Sequence, residues 1–250
     1  MRKPLSLRPQ PTAQVPTTAM VMAAGKGTRM RPLTATRPKP LVVVAGQTLL
    51  DHVLDHLRDA GVGRVVINVH YLADAIEAHM KRKAADLEVH VSDERGLLLE
   101  TGGGLMKAKP LLGDAPFLCV NTDNIWLDGP VNSIRLMAAH WDAEKMDALM
   151  LLVPLARATC HAGQGDFHMD PLGRLSRRKH GRVAPYVWTG IQILHPRLLT
   201  DPPGESFSTN VFWDRAIAAG RFYGVVHSGQ WFDVGTPAAI PITEAALAEA

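Results

Sequence analysis

Cysteine is scarce in this 250-residue chain. Only Cys119 and Cys160 occur, too few for a disulfide framework, so a reducing, cytoplasmic setting is the default expectation. Aromatic residues make up only 6% of the sequence, which argues against a nucleic-acid surface built from interleaved basic and aromatic side chains. No apolar run approaches the ~18–20 residues of a membrane span. Acid is missing altogether from the first fifty residues, where eight Lys/Arg stand before the first carboxylate, Asp51. The remaining residues hold nineteen Lys/Arg against 24 Asp/Glu, so the formal net charge of +3 conceals a cationic front end. Residues 1–18 are basic and proline-rich and lack the apolar centre of a signal peptide. They read as a flexible lead-in. The five cations from Lys26 to Lys39 instead sit among glycines and prolines, as a focused site for a small polyanion would require.

What is present is an alternating pattern. Apolar, β-branched stretches at 18–25, 64–70, 87–93, 117–123, 148–155 and 222–229 read as strands. Helical periodicity fills 48–61, 72–84, about 101–109, 132–145, 208–219 and the C-terminal AAIPITEAALAEA. Such alternation predicts an α/β fold, a three-layer, Rossmann-like arrangement with a mostly parallel central sheet. From about 156 to 195 the pattern breaks into short pieces between Gly and Pro turns, expected to form a small antiparallel insert. Residues 19–250 are expected to be a single domain.

The most informative stretch is Ala23-Ala24-Gly25-Lys26-Gly27-Thr28-Arg29, continuing through Pro32 and Thr34 to Pro38-Lys39-Pro40. Glycines after a strand let backbone N–H groups approach phosphate oxygens, and the cations supply charge where a triphosphate would lie. Pro38 and Pro40 are expected to hold Lys39 in an extended segment. Met30 occupies the place where a dinucleotide fingerprint needs a small residue, and no Walker loop is present. The full string G-x-G-x-R-x-x-P-x-T-x-x-x-P-K-P resembles the signature of the sugar-1-phosphate nucleotidyltransferases.

That resemblance implies the nucleotidyltransferase fold and its reaction, joining a nucleoside triphosphate to a sugar 1-phosphate with release of pyrophosphate. It implies that Lys26 and Arg29 hold the triphosphate and that Lys39 contacts the sugar phosphate. It further implies a Mg2+ ion held by Asp123, in Val120-Asn121-Thr122-Asp123, and by Asp233, in Trp231-Phe232-Asp233-Val234-Gly235-Thr236. Asn124 is expected to support Asp123. Leu99-Glu100-Thr101-Gly102-Gly103-Gly104 matches the family's nucleobase loop, with the glycines letting backbone groups reach the base. In its L-E-T-G-G-G form it resembles the uridylyltransferases acting on N-acetylmuramate 1-phosphate in cell-wall recycling, so UTP is the favoured nucleotide. A mannose-1-phosphate guanylyltransferase and a non-catalytic nucleotide-sugar-binding regulator on the same fold are the alternatives. Asp166, Thr189 and Gly190 are the sugar-binding candidates. Arg177-Arg178-Lys179 reads first as a solvated turn, with contact to a substrate carboxylate as the alternative. His161, His168 and His180 lack the spacing of a zinc site. Neither nucleic acid nor membrane is an expected partner, and oligomeric state is not legible.

Overall fold

The computed structural model describes residues 14–249. Most of the expected lead-in therefore lies outside the described residues, and Thr18 already belongs to a strand. Thr18–Met22 (β1) is followed, after the glycine loop, by Val43–Val44 (β2) and Gln47–Thr48 (β3). Leu49–Ala60 (α1), Arg64–Val69 (β4), Ala73–Lys83 (α2), Glu88–Asp93 (β5) and Glu100–Leu112 (α3) alternate next. Then come Phe117–Asn121 (β6), Asn124–Leu127 (β7), Ser133–His140 (α4) and Ala148–Pro154 (β8). Short strands follow at Ala158–Thr159 (β9), Phe167–Met169 (β10) and Leu175–Arg177 (β11), then the nine-residue Tyr186–Leu194 (β12). Asn210–Ala218 (α5), Phe222–Val226 (β13), Gln230–Asp233 (β14) and Ala239–Ala248 (α6) complete the described chain.

Local chemistry explains the boundaries. The Thr48 hydroxyl caps α1 by accepting from the Asp51 N–H at 3.1 Å. Gly61 stops that helix in the left-handed region at φ 91°. Between them Leu50, Val53, Leu54 and Leu57 form one buried face.

In the main sheet β13, β8, β12, β6, β1, β4 and β5 lie side by side. The β1–β4, β4–β5, β1–β6 and β8–β13 pairs are parallel, while β12 runs antiparallel to both β6 and β8. Successive residues of β1 feed opposite faces: Ala19 and Val21 join one core with Leu54, Ile67 and Val120, while Met20 joins the other with Val66, Cys119 and Met150. Burial on both faces is why these strands read as unbroken apolar runs. Burial also pushes the Cys119 thiol up to about 12, consistent with an inert core residue.

The expected insert needs correction. Its last piece, YVWTGIQIL, is β12, in the middle of the main sheet, and only β9, β10 and β11 lie off that row. Flanking Gly and Pro turns disguise a strand whose residues Val187 and Ile191–Leu194 are all buried. Around Gly190 the β12–β8 register shifts, and Gly190 adopts φ 86°. The strands β7, β14 and β9, two to four residues long and absent from the sequence reading, form a second small sheet. Among the described residues no helix is long and apolar enough to cross a membrane.

Burial pushes the imidazoles of His56, His195 and His227 below the ordinary histidine range. His56 stacks on Trp126 with ring centroids 4.0 Å apart, and its Nε2–H donates to Trp126 O at 3.0 Å. The unfolded chain accepts protons that the folded one refuses. Stability is therefore full above the unfolded value of about 6.5 and falls as the pH drops from there towards the folded values. Urea midpoints should be lower at pH 5.5 than at pH 7.5, with a slope of at most about 1.4 kcal/mol per pH unit for each histidine. A flat or opposite profile contradicts this.

Candidate active site

The carboxyl ends of β1, β4 and β6 open onto a cavity of about 420 Å3, at the sheet edge where open α/β folds bind ligands. Ala23, Ala24 and Gly25 wall one side, Lys39 and Asp123 another, and Glu100, Thr101 and Ser208 a third.

The glycine loop is braced from behind. Gly27 sits at φ 61°, and a Cβ there would lie 2.9 Å from Lys39 Cβ and 3.1 Å from Thr34 Cγ2. The buried Thr34 hydroxyl donates to Gly27 O at 2.8 Å, and the Tyr71 hydroxyl meets Thr34 O at 3.0 Å. Thr28–Met30 forms a 3-10 turn that drives Met30 inward and leaves Lys26, Thr28 and Arg29 exposed. Lys39 also opens a 3-10 turn, Lys39–Leu41, so the expected extended segment is corrected: only Pro38 is extended, and Pro40 stands where a missing N–H costs nothing. Lys39 Nζ donates to Asp123 Oδ2 at 2.9 Å, and this is the loop's only acid–cation pair among the described residues. Among the described residues its other cations have no acid within ion-pair distance.

A small hydrophobic cluster brings the two aspartates to this loop. Met30 packs with Val42, Val44, Leu49, Ile125, Phe232, Val234 and Ala239, joining residues beside Arg29, Asp123 and Asp233 in one core. In the small sheet Asp233 is paired with Asn124, and the Val234 N–H donates to Asp123 O at 2.9 Å. Asn124 Nδ2 donates to Asp123 Oδ1 at 3.1 Å. The side that would bear a Cβ on Gly235 is hemmed in by Asp233 Oδ1 at 2.8 Å and Arg29 Nη1 at 3.1 Å. Arg29 and Asp233 thus share the space beside Gly235. Asp123, in the turn between β6 and β7, and Asp233, at the end of β14, offer two hard carboxylates beside the loop's cations, a donor set that fits a divalent cation taking its remaining ligands from phosphates and water. No group of three or more His, Cys, Asp or Glu forms an all-protein cage among the described residues.

Several expected site residues are placed differently. Gly102 and Gly103 do not face the cavity. Their N–H groups both donate to Phe207 O, at 2.8 and 3.1 Å. A Cβ on Gly102 would meet the Phe207 ring at 2.6 Å, and one on Gly103 would meet Glu205 O at 2.3 Å. These glycines admit the 205–209 segment against α3, and Glu100 and Thr101 are the residues left facing the cavity. Thr189 is fully buried, with its hydroxyl donating to Leu151 O at 2.9 Å, so its side chain has nothing to offer a sugar. Gly190 leaves room for the amide that supports Asp123: a Cβ would sit 2.2 Å from Asn124 Nδ2. Asp166 is exposed. Its Oδ2 accepts from the Trp188 N–H at 2.9 Å, beside a second cavity.

The places of two residues escaped the sequence reading. His161 Nδ1 lies 3.6 Å from Asp233 Oδ2, just after β9, which pairs with β14. Glu94, in what looks like a solvated charged turn, is wholly buried. Its Oε1 accepts from Asn68 Nδ2 at 2.8 Å and its Oε2 from the Leu99 N–H at 3.2 Å. Asn68 Oδ1 in turn accepts from the Ala23 N–H at 2.7 Å. This chain links the glycine loop to the Leu99–Thr101 turn across the cavity floor. Asn68→Ala should raise the nucleotide KM roughly 10-fold and lower stability by about 1–3 kcal/mol, because buried donors and acceptors lose their partners. Steady-state kinetics and urea unfolding check both.

These features meet a family description. The model of the Nucleotidyl transferase family matches residues 18–161, and the chain belongs to that family. It is 44% identical over 241 residues to an N-acetylmuramate alpha-1-phosphate uridylyltransferase of Caulobacter vibrioides, covering 95% of this chain and 100% of that protein. A protein of the same description from Neisseria meningitidis is 34% identical, over 87% of this chain and 93% of its own. A mannose-1-phosphate guanylyltransferase catalytic subunit beta of Drosophila melanogaster is 39% identical over 88% of this chain, which spans 60% of that protein. In fold, the chain matches HddC from Yersinia pseudotuberculosis with a TM-score of 0.74 at 21% identity, over 92% of this chain and 99% of that one.

Proposed function

We propose that this enzyme transfers uridylyl from UTP to N-acetylmuramate 1-phosphate, releasing pyrophosphate, in the cytoplasmic recycling of cell-wall sugar. The observation that carries the reading is the cavity itself, with the glycine loop on one wall and the Lys39–Asp123 pair on another. The full-length match to two uridylyltransferases of that description favours the muramate substrate over mannose 1-phosphate.

The nucleophile needs no strong base, since a phosphate monoester loses its second proton near pH ~6. Its oxygen attacks the α-phosphorus in line, forming the new P–O bond as the bond to the β-phosphate oxygen breaks. The barrier is repulsion between two polyanions, so catalysis is positioning and charge neutralisation. Backbone N–H groups of Ala24–Gly27 cradle the triphosphate, and Lys26 and Arg29 offset the charge that grows on pyrophosphate. Lys39, held by Asp123 before substrate arrives, directs its ammonium at the incoming phosphate. Magnesium held by Asp123 and Asp233 would supply Lewis-acid neutralisation of the phosphates.

A matrix of nucleotides against sugar 1-phosphates, read as pyrophosphate release, tests the assignment. UTP with N-acetylmuramate 1-phosphate should be the fastest pair. Turnover of GTP with mannose 1-phosphate, and none with the muramate pair, would reverse it.

A further inference from the structure

The second cavity, about 430 Å3, shares Thr101 and Ser208 with the nucleotide cavity and so continues from it. Trp188 and Trp213 supply apolar walls, and Asp166, Arg177 and Arg178 supply charge. The two arginines differ in what holds them. Arg177 Nε donates to Asp214 Oδ1 at 2.5 Å and Nη2 to Asn210 Oδ1 at 3.2 Å, while its guanidinium lies 5.6 Å from the Trp213 ring centre. Its charge is already neutralised. Arg178 Nε donates to Gly165 O at 2.9 Å and Nη1 to Arg182 O at 3.0 Å. Among the described residues no carboxylate lies within ion-pair distance of it, so two carbonyls orient the guanidinium without cancelling its charge. Lys179, the third cation of the run, is exposed and lines neither cavity.

The mounting is stiff. Gly165 takes φ 77°, a Cβ there would lie 2.1 Å from Ala184 O, and the Ala184 N–H donates to Gln164 O at 2.8 Å. An oriented, half-buried, unneutralised arginine at the far end of a sugar pocket is built for an anion. The anion is not the sugar's phosphate, which must meet Lys39 and the α-phosphorus in the first cavity. It has to be a charge carried elsewhere on the sugar.

We propose that Arg178 is a specificity-determining residue that binds the lactyl carboxylate of N-acetylmuramate 1-phosphate, selecting it over sugar 1-phosphates without a carboxylate. The proposal rests on the muramate reading of the same site. Its test compares N-acetylmuramate 1-phosphate with N-acetylglucosamine 1-phosphate, which lacks only the lactyl group, at saturating UTP. Wild type should prefer the muramate in kcat/KM. Arg178→Gln should reduce that preference roughly 10- to 100-fold through the muramate KM, leaving the glucosamine constants near wild type, which also shows that the variant folds. Lys179→Gln should keep the wild-type preference. If Arg178→Gln does not fold, Arg178→Lys serves, because a single ammonium nitrogen cannot reproduce the planar fork whose Nε and Nη1 meet the two carbonyls, and the preference should fall several-fold. An equal loss on both sugars, or an unchanged preference in a folded Arg178 variant, overturns the proposal while leaving the reaction standing. Wild type that turns over neither sugar overturns the muramate reading and this proposal with it.

Discussion

Asp123→Ala is expected to lower turnover at least ~10^3-fold while leaving the protein folded, with a melting temperature lower by up to about 10 degrees. The carboxylate does two things that no neighbour replaces: one oxygen holds Lys39 Nζ and the other accepts from Asn124. The structural contribution of the position is carried by its backbone, since Val234 N–H donates to Asp123 O, and alanine keeps that carbonyl. The alanine variant also strands the Lys39 ammonium, whose side chain is only 11% exposed. Asp123→Asn separates the two effects, because it leaves an oxygen for Lys39 but removes the charge a cation would need. A comparable loss in both variants, with folding intact by circular dichroism, supports the metal-holding role. Activity within a few-fold of wild type in Asp123→Asn rules that role out.

Gly235→Ala should cost about 100-fold in kcat with little change in stability. The residue's φ lies outside the left-handed region, so alanine brings no backbone strain. The atoms nearest to the added methyl would be Asp233 Oδ1 at 2.8 Å and Arg29 Nη1 and Cζ at 3.1 and 3.4 Å. Both are ends of flexible side chains, and the protein can move them cheaply. The reaction as proposed cannot, because it needs both groups held at the phosphates. A single methyl therefore separates fold from function. Pyrophosphate release and thermal melting, measured on the same preparation, give the two readouts. A large loss of stability, or none of activity, contradicts the placement of Arg29 beside Asp233.

The sheet and its helices were legible because periodicity and burial agree: strands buried on both faces read as apolar runs, and α1 carries both its cap and its glycine stop in the sequence. The loop from Gly25 to Lys39 stood out as a family signature because its residues are close in sequence, while its 3-10 turn at Lys39 did not. Legibility failed where a residue's role depends on a distant segment. Strand β12 was assigned to an insert because Gly190, which serves Asn124, looks like a turn residue. Gly102 and Gly103 pointed to a nucleobase because nothing in the sequence announces Phe207 and Glu205 beside them. Thr189 resembled a sugar contact until Leu151 claimed its hydroxyl. Glu94 was hidden in the charged run SDERG, since alternate residues of a strand end can point inward while their neighbours stay in water. The convergence of Asp123 with Asp233 was expected from resemblance alone. Its physical cause, the Met30–Ile125–Phe232–Val234 cluster, involves strands too short to show a period.

Titrating Mn2+ in the presence of UTP, followed by electron paramagnetic resonance, tests that convergence most directly. One tight site should form in the wild-type ternary complex, weaken at least ~10-fold in Asp123→Asn and in Asp233→Asn alike, and persist in Asp166→Asn. Wild-type affinity in either of the first two variants would show that the paired carboxylates do not share a cation beside the glycine loop.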